Sequence, residues 1–266
     1  MSKATFVYAC LFLLLLPALP DPAPAADSDA ELAKKTQNPV ASLISVPLQN
    51  NWDFGIGPAD AMKYTLNIQP VIPVSITKDT NLIIRTIVPV IYQEATVAGG
   101  DSHSGLGDTT QSFFISPVKP VDGWIVGAGP DFLYPTGAQA LGTEKWGAGP
   151  TAVVLKQESG WTYGILANHL WSFAGPSGRQ DVNATFLQPF AGYTTKTYTT
   201  LTLNTESTYD WVNRQWTVPI NLMLNQLLKI AGQPISLQAG YRYYADAPDG
   251  GPDWGLRFTV SLLFPK

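Results

Sequence analysis

The chain has 266 residues and a formal net charge of −4, so it can form one large β domain or two ordinary domains, and its acidic balance argues against a nucleic-acid-binding surface. Charged residues make up 14% of the chain, whereas 23 glycines, 22 prolines and 11% aromatic residues favour short extended segments joined by turns.

The first residues predict a secretory signal peptide. A short basic start, Met1–Lys3, precedes an apolar run from Ala4 to Leu16 and an A-x-A-like cleavage site at Ala23–Ala25. The apolar run is too short to predict a transmembrane helix. Cys10 is the single cysteine and lies inside this segment, so the mature chain is predicted to have no disulfide and no Cys-based zinc site.

The segment after the predicted cleavage site carries one helix signal. Ser28 and Glu31 in "SDAELAKK" have the spacing of a capping box, which predicts one or two helical turns. A disordered leader is the default prediction for this position, and a plug or a partner contact is the alternative.

About a dozen strand-like segments follow, joined alternately by short and long connections. The short connections carry one lysine each, and with the C-terminal lysine these residues recur at 33 to 41 positions, about the length of a hairpin: Lys78, Lys119, Lys156, Lys196, Lys229 and Lys266. The long connections, such as "ATVAGGDSHSG" and "DAPDGGPD", are rich in Gly and Asp. Short turns at one end and long loops at the other are typical of outer-membrane barrels. A repeat solenoid fits less well, because the repeats share no motif.

We therefore predict an all-β fold, a transmembrane antiparallel up-and-down β-barrel of about 12 strands with short periplasmic turns and longer extracellular loops. The predicted parts are a signal peptide at 1–25, a periplasmic N-terminal leader at 26–43 that can form a short helix, and an outer-membrane β-barrel at 44–266. The expected location is the Gram-negative cell outer membrane, reached by export with a cleaved signal peptide. The expected partners are outer-membrane lipid and lipopolysaccharide, the barrel-assembly machinery during biogenesis, and an unknown small solute.

The last strand-like segment has the clearest two-faced pattern. In "DWGLRFTVSLLF" the apolar residues that begin with Trp254 alternate with Gly255, Arg257, Thr259 and Ser261, which predicts one face toward lipid and one toward the lumen. Aromatic residues near many strand ends predict two girdles at the membrane interfaces. Segments 82–93 and 182–193 alternate too weakly for their faces to be predicted.

The stretch "NIQPVIPVSI" predicts an irregular part of the wall. Its alternation is that of a strand, yet Pro70 and Pro73 remove ladder donors inside it. If even-numbered residues face lipid, Pro70 points outward and needs a bulge or local fray, whereas Pro73 points inward.

The alternation also predicts a set of polar residues that line the lumen: Arg85, Asp108, Asp131, Asn204, Glu206, Asn221, Gln238, Arg242 and Arg257. Charges of both signs in a narrow tube favour a structural ion-pair network over contact with a solute. Four of these residues are our candidates for setting selectivity: Arg85, Glu206, Arg242 and Arg257.

Several long segments, from "NPVASLISVPLQNNWDFGIGP" through "KWGAGPTAVVLKQESGWTYGILANHLWSFAG" to "APDGGPDWGLRFTVSLLFPK", resemble the Gram-negative family often labelled transporter or neuromedin U-like. The resemblance runs from Asn38 to Lys266 and implies an outer-membrane β-barrel of unestablished substrate. A more distant likeness is to barrels associated with phenol degradation, which hints at small aromatic solutes. Neither resemblance brings defined catalytic or binding residues.

The sequence does not predict an enzyme. Barrel phospholipases that use Ser, His and Asn need a His-x-Ser pair on one strand face, but His103 and His169 are followed at that spacing by Gly105 and Trp171. No metal site and no cofactor is predicted: "DAPDGGPD" misses the spacing of a calcium loop, and neither "GAGP" copy opens a helix as a phosphate loop does.

These observations predict a barrel that passively transports or binds a small solute through a partly occluded polar lumen. The alternative is a non-conducting structural or adhesive barrel that acts through its loops, and a less favoured one is an outer-membrane lipid hydrolase.

Overall fold

A computed structural model describes residues 28–265, which form one helix and fifteen β-strands. The helix is α1 (Asp29–Thr36). The strands are β1 (Ile44–Ile56), β2 (Ala61–Ile68), β3 (Val71–Ser75), β4 (Thr80–Gln93), β5 (His103–Leu106), β6 (Thr109–Pro117), β7 (Trp124–Tyr134), β8 (Trp146–Glu158), β9 (Trp161–Ala174), β10 (Asn183–Thr194), β11 (Thr199–Thr205), β12 (Ser207–Asp210), β13 (Gln215–Ile230), β14 (Gln233–Asp246) and β15 (Trp254–Phe264).

The strands close into one antiparallel barrel. When β2 with β3, β5 with β6 and β11 with β12 are each counted as one strand, every strand pairs with its neighbour in the chain, and β15 pairs with β1 from Ile44↔Phe264 to Phe54↔Trp254, so no edge is left. Three barrel strands are each interrupted once, as β2 with β3, β5 with β6 and β11 with β12, which leaves twelve crossings. The predicted twelve-stranded up-and-down barrel is therefore confirmed.

The two ends of the barrel differ as predicted. At the end that carries the short connections, here called the turn end, β8–β9 and β13–β14 are joined by the pairs Ser159-Gly160 and Ala231-Gly232, all four with φ between 49° and 84°. Positive φ at both turn positions matches the right-handed twist of the strands. The opposite end, the loop end, carries the long connections 94–102, 135–145, 175–182 and 247–253.

Inward and outward side chains alternate along the strands. The outward face is an apolar band in which Leu201, Leu203, Leu222 and Leu224 are each more than half exposed, an arrangement that suits a hydrocarbon environment. Strand pairing now assigns the faces of segment 82–93, one of the two weakly alternating segments. Ile83 is fully buried and pairs with Phe114, so odd residues of β4, Arg85 among them, face the lumen.

Aromatic residues gather at both ends of the strands. At the turn end, Trp124 lies edge-on to Tyr163 with ring centroids 6.3 Å apart, and Trp161 contacts Tyr193 at 5.1 Å. At the loop end, Tyr134–Trp146 and Tyr209–Trp211 are the corresponding pairs, at 5.7 and 4.7 Å. Two rows of amphipathic rings are the girdles expected at the membrane interfaces.

The wall is interrupted where the prolines predict it. β2 ends at Ile68 and β3 begins at Val71, so Gln69 and Pro70 stand outside the ladder. The Pro70 carbonyl accepts a hydrogen bond from the Thr86 amide at 3.1 Å, and Pro73 is buried on the inner face.

No helix within residues 28–265 is long and apolar enough to cross a membrane.

Candidate functional site

The N-terminal segment is folded into the turn end of the lumen. The Ser28 side chain accepts a hydrogen bond from the Glu31 amide at 3.2 Å and caps α1. Leu32 and Ala33 are 1% and 2% exposed and belong to one apolar cluster with Leu227 and Leu263. The default prediction of a disordered leader is therefore wrong for residues 28–43, because burial of this apolar face offsets the loss of chain entropy. We call residues 28–43 the plug.

Polar contacts fasten the plug to the wall. Lys229 forms an ion pair with Asp29, and the Gln157 side-chain amide donates to the Lys34 carbonyl at 2.9 Å. Deeper in the lumen, the Thr202 hydroxyl donates to the Gln37 side chain at 3.2 Å. The part of the plug that follows α1 also buries Val40 against wall residues that include Ile83, Phe114 and Leu155.

Glu206 is the centre of an ion network beyond the plug. Arg257 donates to both Glu206 carboxylate oxygens at 2.7 Å, a bidentate pair, and Arg242 lies 3.5 Å from the same carboxylate. The Asn51 side-chain oxygen accepts from Arg257 Nε at 2.8 Å and from Arg242 at 3.3 Å. Glu206 stands between β11 and β12, so the network joins one break in the wall to β1, β14 and β15.

The network includes residues that sequence reasoning missed. Asp53 accepts a hydrogen bond from the Tyr244 hydroxyl at 2.8 Å, lies 3.4 Å from Arg242 and pairs in register with Lys63. Asp53 and Asn51 are both inward odd residues of β1. A usable signal was present, because the even residues Leu48, Trp52 and Phe54 of "LQNNWDF" form an apolar outward face. The polar Asn50 on that same face obscured it.

Arg85 stands apart from the other lumen arginines. Its guanidinium donates to the Gln69 side-chain oxygen at 3.0 Å. Within the described residues, the lumen ion pairs involve Arg242 and Arg257 and not Arg85. Glu206 and Asp131 attract Arg85 over a longer distance. The four candidates for setting selectivity therefore divide into three residues of one network and one separate guanidinium.

Most of the remaining predicted lumen residues form hydrogen bonds between neighbouring strands. Asp131 is 1% exposed and accepts from the Ser112 hydroxyl at 2.8 Å. On the other side, Asn221 donates to Asn204 at 2.8 Å and Gln238 accepts from the Thr259 hydroxyl at 3.4 Å. These pairs join neighbouring strands, so they tie the wall together.

Asp108 is placed differently from the prediction. Its carboxylate accepts from the amides of Gly137 and Thr143 at 2.9 and 2.6 Å, and from the Thr143 hydroxyl at 2.6 Å. All three donors belong to the 135–145 loop. Asp108 therefore anchors a loop at the barrel mouth and is not part of the ion network, because its carboxylate accepts hydrogen bonds from loop amides that need a partner.

The wall opposite the network has four inward positions without a side chain. Gly127, Gly129, Gly147 and Gly149 point inward from β7 and β8, on the far side of the barrel from β14 and β15. A Cβ on Gly129 would overlap the Phe113 carbonyl oxygen, and one on Gly149 would overlap that of His169. The two "GAGP" copies thus permit close approach of neighbouring strands.

Three cavities lie along the lumen. A cavity of about 750 Å³ at the loop end is lined by Arg179, Asp181, Asp210 and Thr217, among others. A central cavity of about 210 Å³ lies between the plug and the network. A third, of about 200 Å³, lies beside the plug. The cavities can hold small polar molecules one after another, and the network and the plug narrow the lumen between them.

A family comparison matches most of the barrel. Residues 60–266 match the family described as "Putative MetA-pathway of phenol degradation". The chain belongs to this family. The predicted likeness to barrels associated with phenol degradation is confirmed, whereas the neuromedin U-like label stays a sequence prediction.

Solved structures share the fold of this family member. The COG4313 outer membrane channel from Pseudomonas putida F1 is 16% identical, with a TM-score of 0.65 over 84% of this chain and 94% of that one. The NanC porin is 12% identical, with a TM-score of 0.51 over 82% and 98%. At these identities the likeness shows the fold and not the solute. No curated protein matches the chain.

The two histidines of this phenol-degradation family member lie away from the lumen network. His169 faces outward, contacts Trp171 at 4.0 Å between ring centroids, and has the Thr185 hydroxyl at 2.7 Å and the Asn183 side-chain oxygen at 3.0 Å. The Trp211 indole donates to the same Thr185 hydroxyl, so this cluster ties strands at the loop-end girdle. His103 is exposed and pairs in register with Gln93 at the barrel mouth.

An ion pair fastens the loops at the mouth. The buried Lys145 ammonium lies 2.9 Å from the Asp181 carboxylate. The hydrogen bond from Lys145 and its positive charge hold the pKa of Asp181 below the ordinary aspartate value.

Proposed function

We propose that this barrel is an outer-membrane channel through which a small polar solute diffuses passively. The observation that carries the proposal is the series of three cavities along the lumen, of about 750, 210 and 200 Å³, where a purely structural barrel of this size would fill its interior with side chains. The two similar structures are an outer membrane channel and a porin, which supports the same function.

The ion network and the plug narrow the lumen in different ways. The bidentate Arg257–Glu206 pair is held from several strands, so it is a fixed part of the lumen and admits only small solutes. The plug is a single segment of 16 residues packed on the turn end, from Ser28 to Leu43, and it restricts the periplasmic exit. No energy source is needed, because a solute moves down its own gradient.

Liposome swelling tests the proposal. The full chain reconstituted in vesicles should admit small solutes faster than empty vesicles and exclude larger oligosaccharides. The panel should include small aromatic solutes, because the family description names a pathway of phenol degradation. Swelling rates equal to those of empty vesicles for every solute would contradict the proposal.

A plug variant separates an occluded channel from a closed barrel. Leu32→Asp places a charge in the apolar contact with Leu227 and Leu263, whereas Ala30→Asp adds the same charge to an exposed position of α1. Leu32→Asp should speed solute entry and expose Lys34 and Lys35 to trypsin, and Ala30→Asp should do neither.

The second candidate function is a non-conducting barrel that acts through its loops. It is favoured by one observation, that the plug and the ion network both cross the lumen. Single-channel recording distinguishes the two functions: absence of current from both the full chain and Leu32→Asp would favour the closed barrel.

A further inference from the structure

The central cavity has one charged side chain whose hydrogen-bonding capacity is largely unused. The cavity of about 210 Å³ lies between the plug and the ion network, and Arg85, Gln69, Gln188, Phe190, Asn204 and Gln238 line it together with plug residues. A guanidinium has five N–H donors. Within residues 28–265, Arg85 donates one side-chain hydrogen bond, to Gln69.

Arg85 and Arg257 differ in how many of their guanidinium donors are paired. Arg257 uses Nε and both terminal nitrogens on Asn51 and Glu206, so its fork is already matched to a carboxylate. Arg85 has the same fork and no carboxylate in contact among the described residues. A planar fork of donors that faces a cavity is suited to a second carboxylate, which must then come from a ligand.

The charge balance of the middle of the lumen favours an anion. The central cavity has one local positive charge in excess, because Arg85 lines it and contacts no carboxylate among the described residues, whereas Arg242 and Arg257 pair with Asp53 and Glu206. A bound monoanion neutralises this excess, whereas a bound cation increases it.

The other lining groups indicate what the anion carries. The side chains of Gln188 and Gln238 add amide groups, and the ring of Phe190 and the thioether of Met223 add apolar surface. At about 210 Å³ the cavity is smaller than the roughly 300–1,000 Å³ of sites for drug-sized ligands. The ligand is therefore an acid with a short or single-ring apolar part.

We propose that the central cavity is a binding site for a small organic monocarboxylate, whose carboxylate pairs with the Arg85 guanidinium and whose apolar part lies against Phe190. This site rests on the proposed channel function and names the solute class for it. Arg242 and Arg257 hold the network in place and do not contact the ligand.

Equilibrium binding to the detergent-folded full chain tests the site without any need for conduction. Benzoate is the probe, and benzamide is its neutral counterpart of similar size and shape. Isothermal titration should detect benzoate in the wild-type protein, and Arg85→Gln should weaken it by about 10- to 100-fold, the effect of one charged hydrogen-bonded pair. Benzamide should bind weakly and equally to both proteins.

Two further variants complete the test. Arg85→Lys keeps the charge and removes the planar fork, so it should bind benzoate between the wild type and Arg85→Gln. Lys119→Gln removes one positive charge from an exposed turn and should leave binding unchanged. Heat-modifiable migration on gels establishes that each variant is folded, and if Arg85→Gln does not fold, Arg85→Lys and the two probes on the wild type still decide.

Equal affinity of the wild type for benzoate and benzamide, or unchanged benzoate affinity in Arg85→Gln, overturns the site. Absence of benzoate binding at millimolar concentrations overturns it as well. Failure of the channel function is separate: binding of benzoate with the predicted dependence on Arg85, together with vesicles that admit no solute, would refute transport and leave the binding site standing.

Discussion

The lumen has two opposite walls that are built in contrasting ways. One wall, from β14, β15 and β1, is crowded with charged and amide groups that bond to one another around Glu206. The other, from β7 and β8, presents glycines where the first presents arginines. The difference shows two ways of joining strands in a narrow barrel: charged and amide side chains bond to one another on one wall, and on the other the absence of a side chain at four inward positions lets the strands approach closely.

Substitutions in the two walls should also destabilise the barrel by different mechanisms. Replacing a group of the charged wall leaves its partners buried without a counter-charge, which is costly. Adding a side chain to the glycine wall forces neighbouring strands apart, which is a packing cost.

The largest effect is expected from Glu206→Gln. It removes the carboxylate shared by Arg257 and Arg242, and breaking such an enclosed pair costs about 3–5 kcal/mol of unfolding free energy. Urea unfolding in lipid vesicles, followed by tryptophan fluorescence, measures the loss. Glu158→Gln, at an exposed turn-end position, is the matched control and should be near wild type. A loss equal to that of the control would show that Glu206 is not structural.

A smaller loss is expected from Gly149→Ala on the opposite wall. The added Cβ would overlap the His169 carbonyl oxygen on the neighbouring strand, and overpacking of this kind costs about 1–3 kcal/mol. The same unfolding assay applies. Gly178→Ala in a loop is the control, because a Cβ there meets nothing within 4 Å. Equal stability of the two variants would mean that the strands at Gly149 are free to separate.

Tyr244→Phe should have a still smaller effect within the charged wall. It removes the hydroxyl that donates to Asp53 at 2.8 Å, while Asp53 keeps Arg242 at 3.4 Å. Loss of one hydrogen bond to a group that retains another partner costs about 0.5–1.5 kcal/mol. A cost as large as that of Glu206→Gln would show that Asp53, and not Glu206, is the centre of the network. Tyr243→Phe, on the outward face, is the control.

The charged wall was largely predictable from the sequence, and the glycine wall in part. In "DWGLRFTVSLLF" the apolar and polar residues alternate without exception near Arg257, so its inward direction follows from the period of a strand. Arg85 was harder, because Ile83 and Ile91 also face inward and weaken the contrast between faces. The "GAGP" copies indicated close packing, but only strand order shows that they lie opposite the arginines.

A plug was the alternative prediction for this segment, but beyond the helix signal its contacts with the wall could not be predicted. Ser28 and Glu31 are local and visible in the sequence, whereas the contacts of Leu32 with Leu227 and Leu263 join parts of the chain about 200 residues apart. The role of Asp108 could not be predicted for a related reason. Its position on an alternating strand predicts a lumen residue, but the 135–145 loop folds back over it and supplies donors that no strand pattern encodes.

The smallest effect is expected from Asp181→Asn at the loop end, where an ion pair joins two loops at the barrel mouth. Lys145 lowers the pKa of Asp181, so the pair stabilises the folded state above the ordinary aspartate pKa of 3.8 and loses this contribution as pH falls through the lowered value. Asp181→Asn should therefore be slightly less stable than wild type at neutral pH, and the two unfolding midpoints should converge in acid. Because the Asp181 carboxylate is exposed to solvent, the neutral-pH difference should also shrink in high salt, unlike that of Glu206→Gln. A difference that is independent of both pH and salt would show that Asp181 acts through packing of the loops and not through its charge.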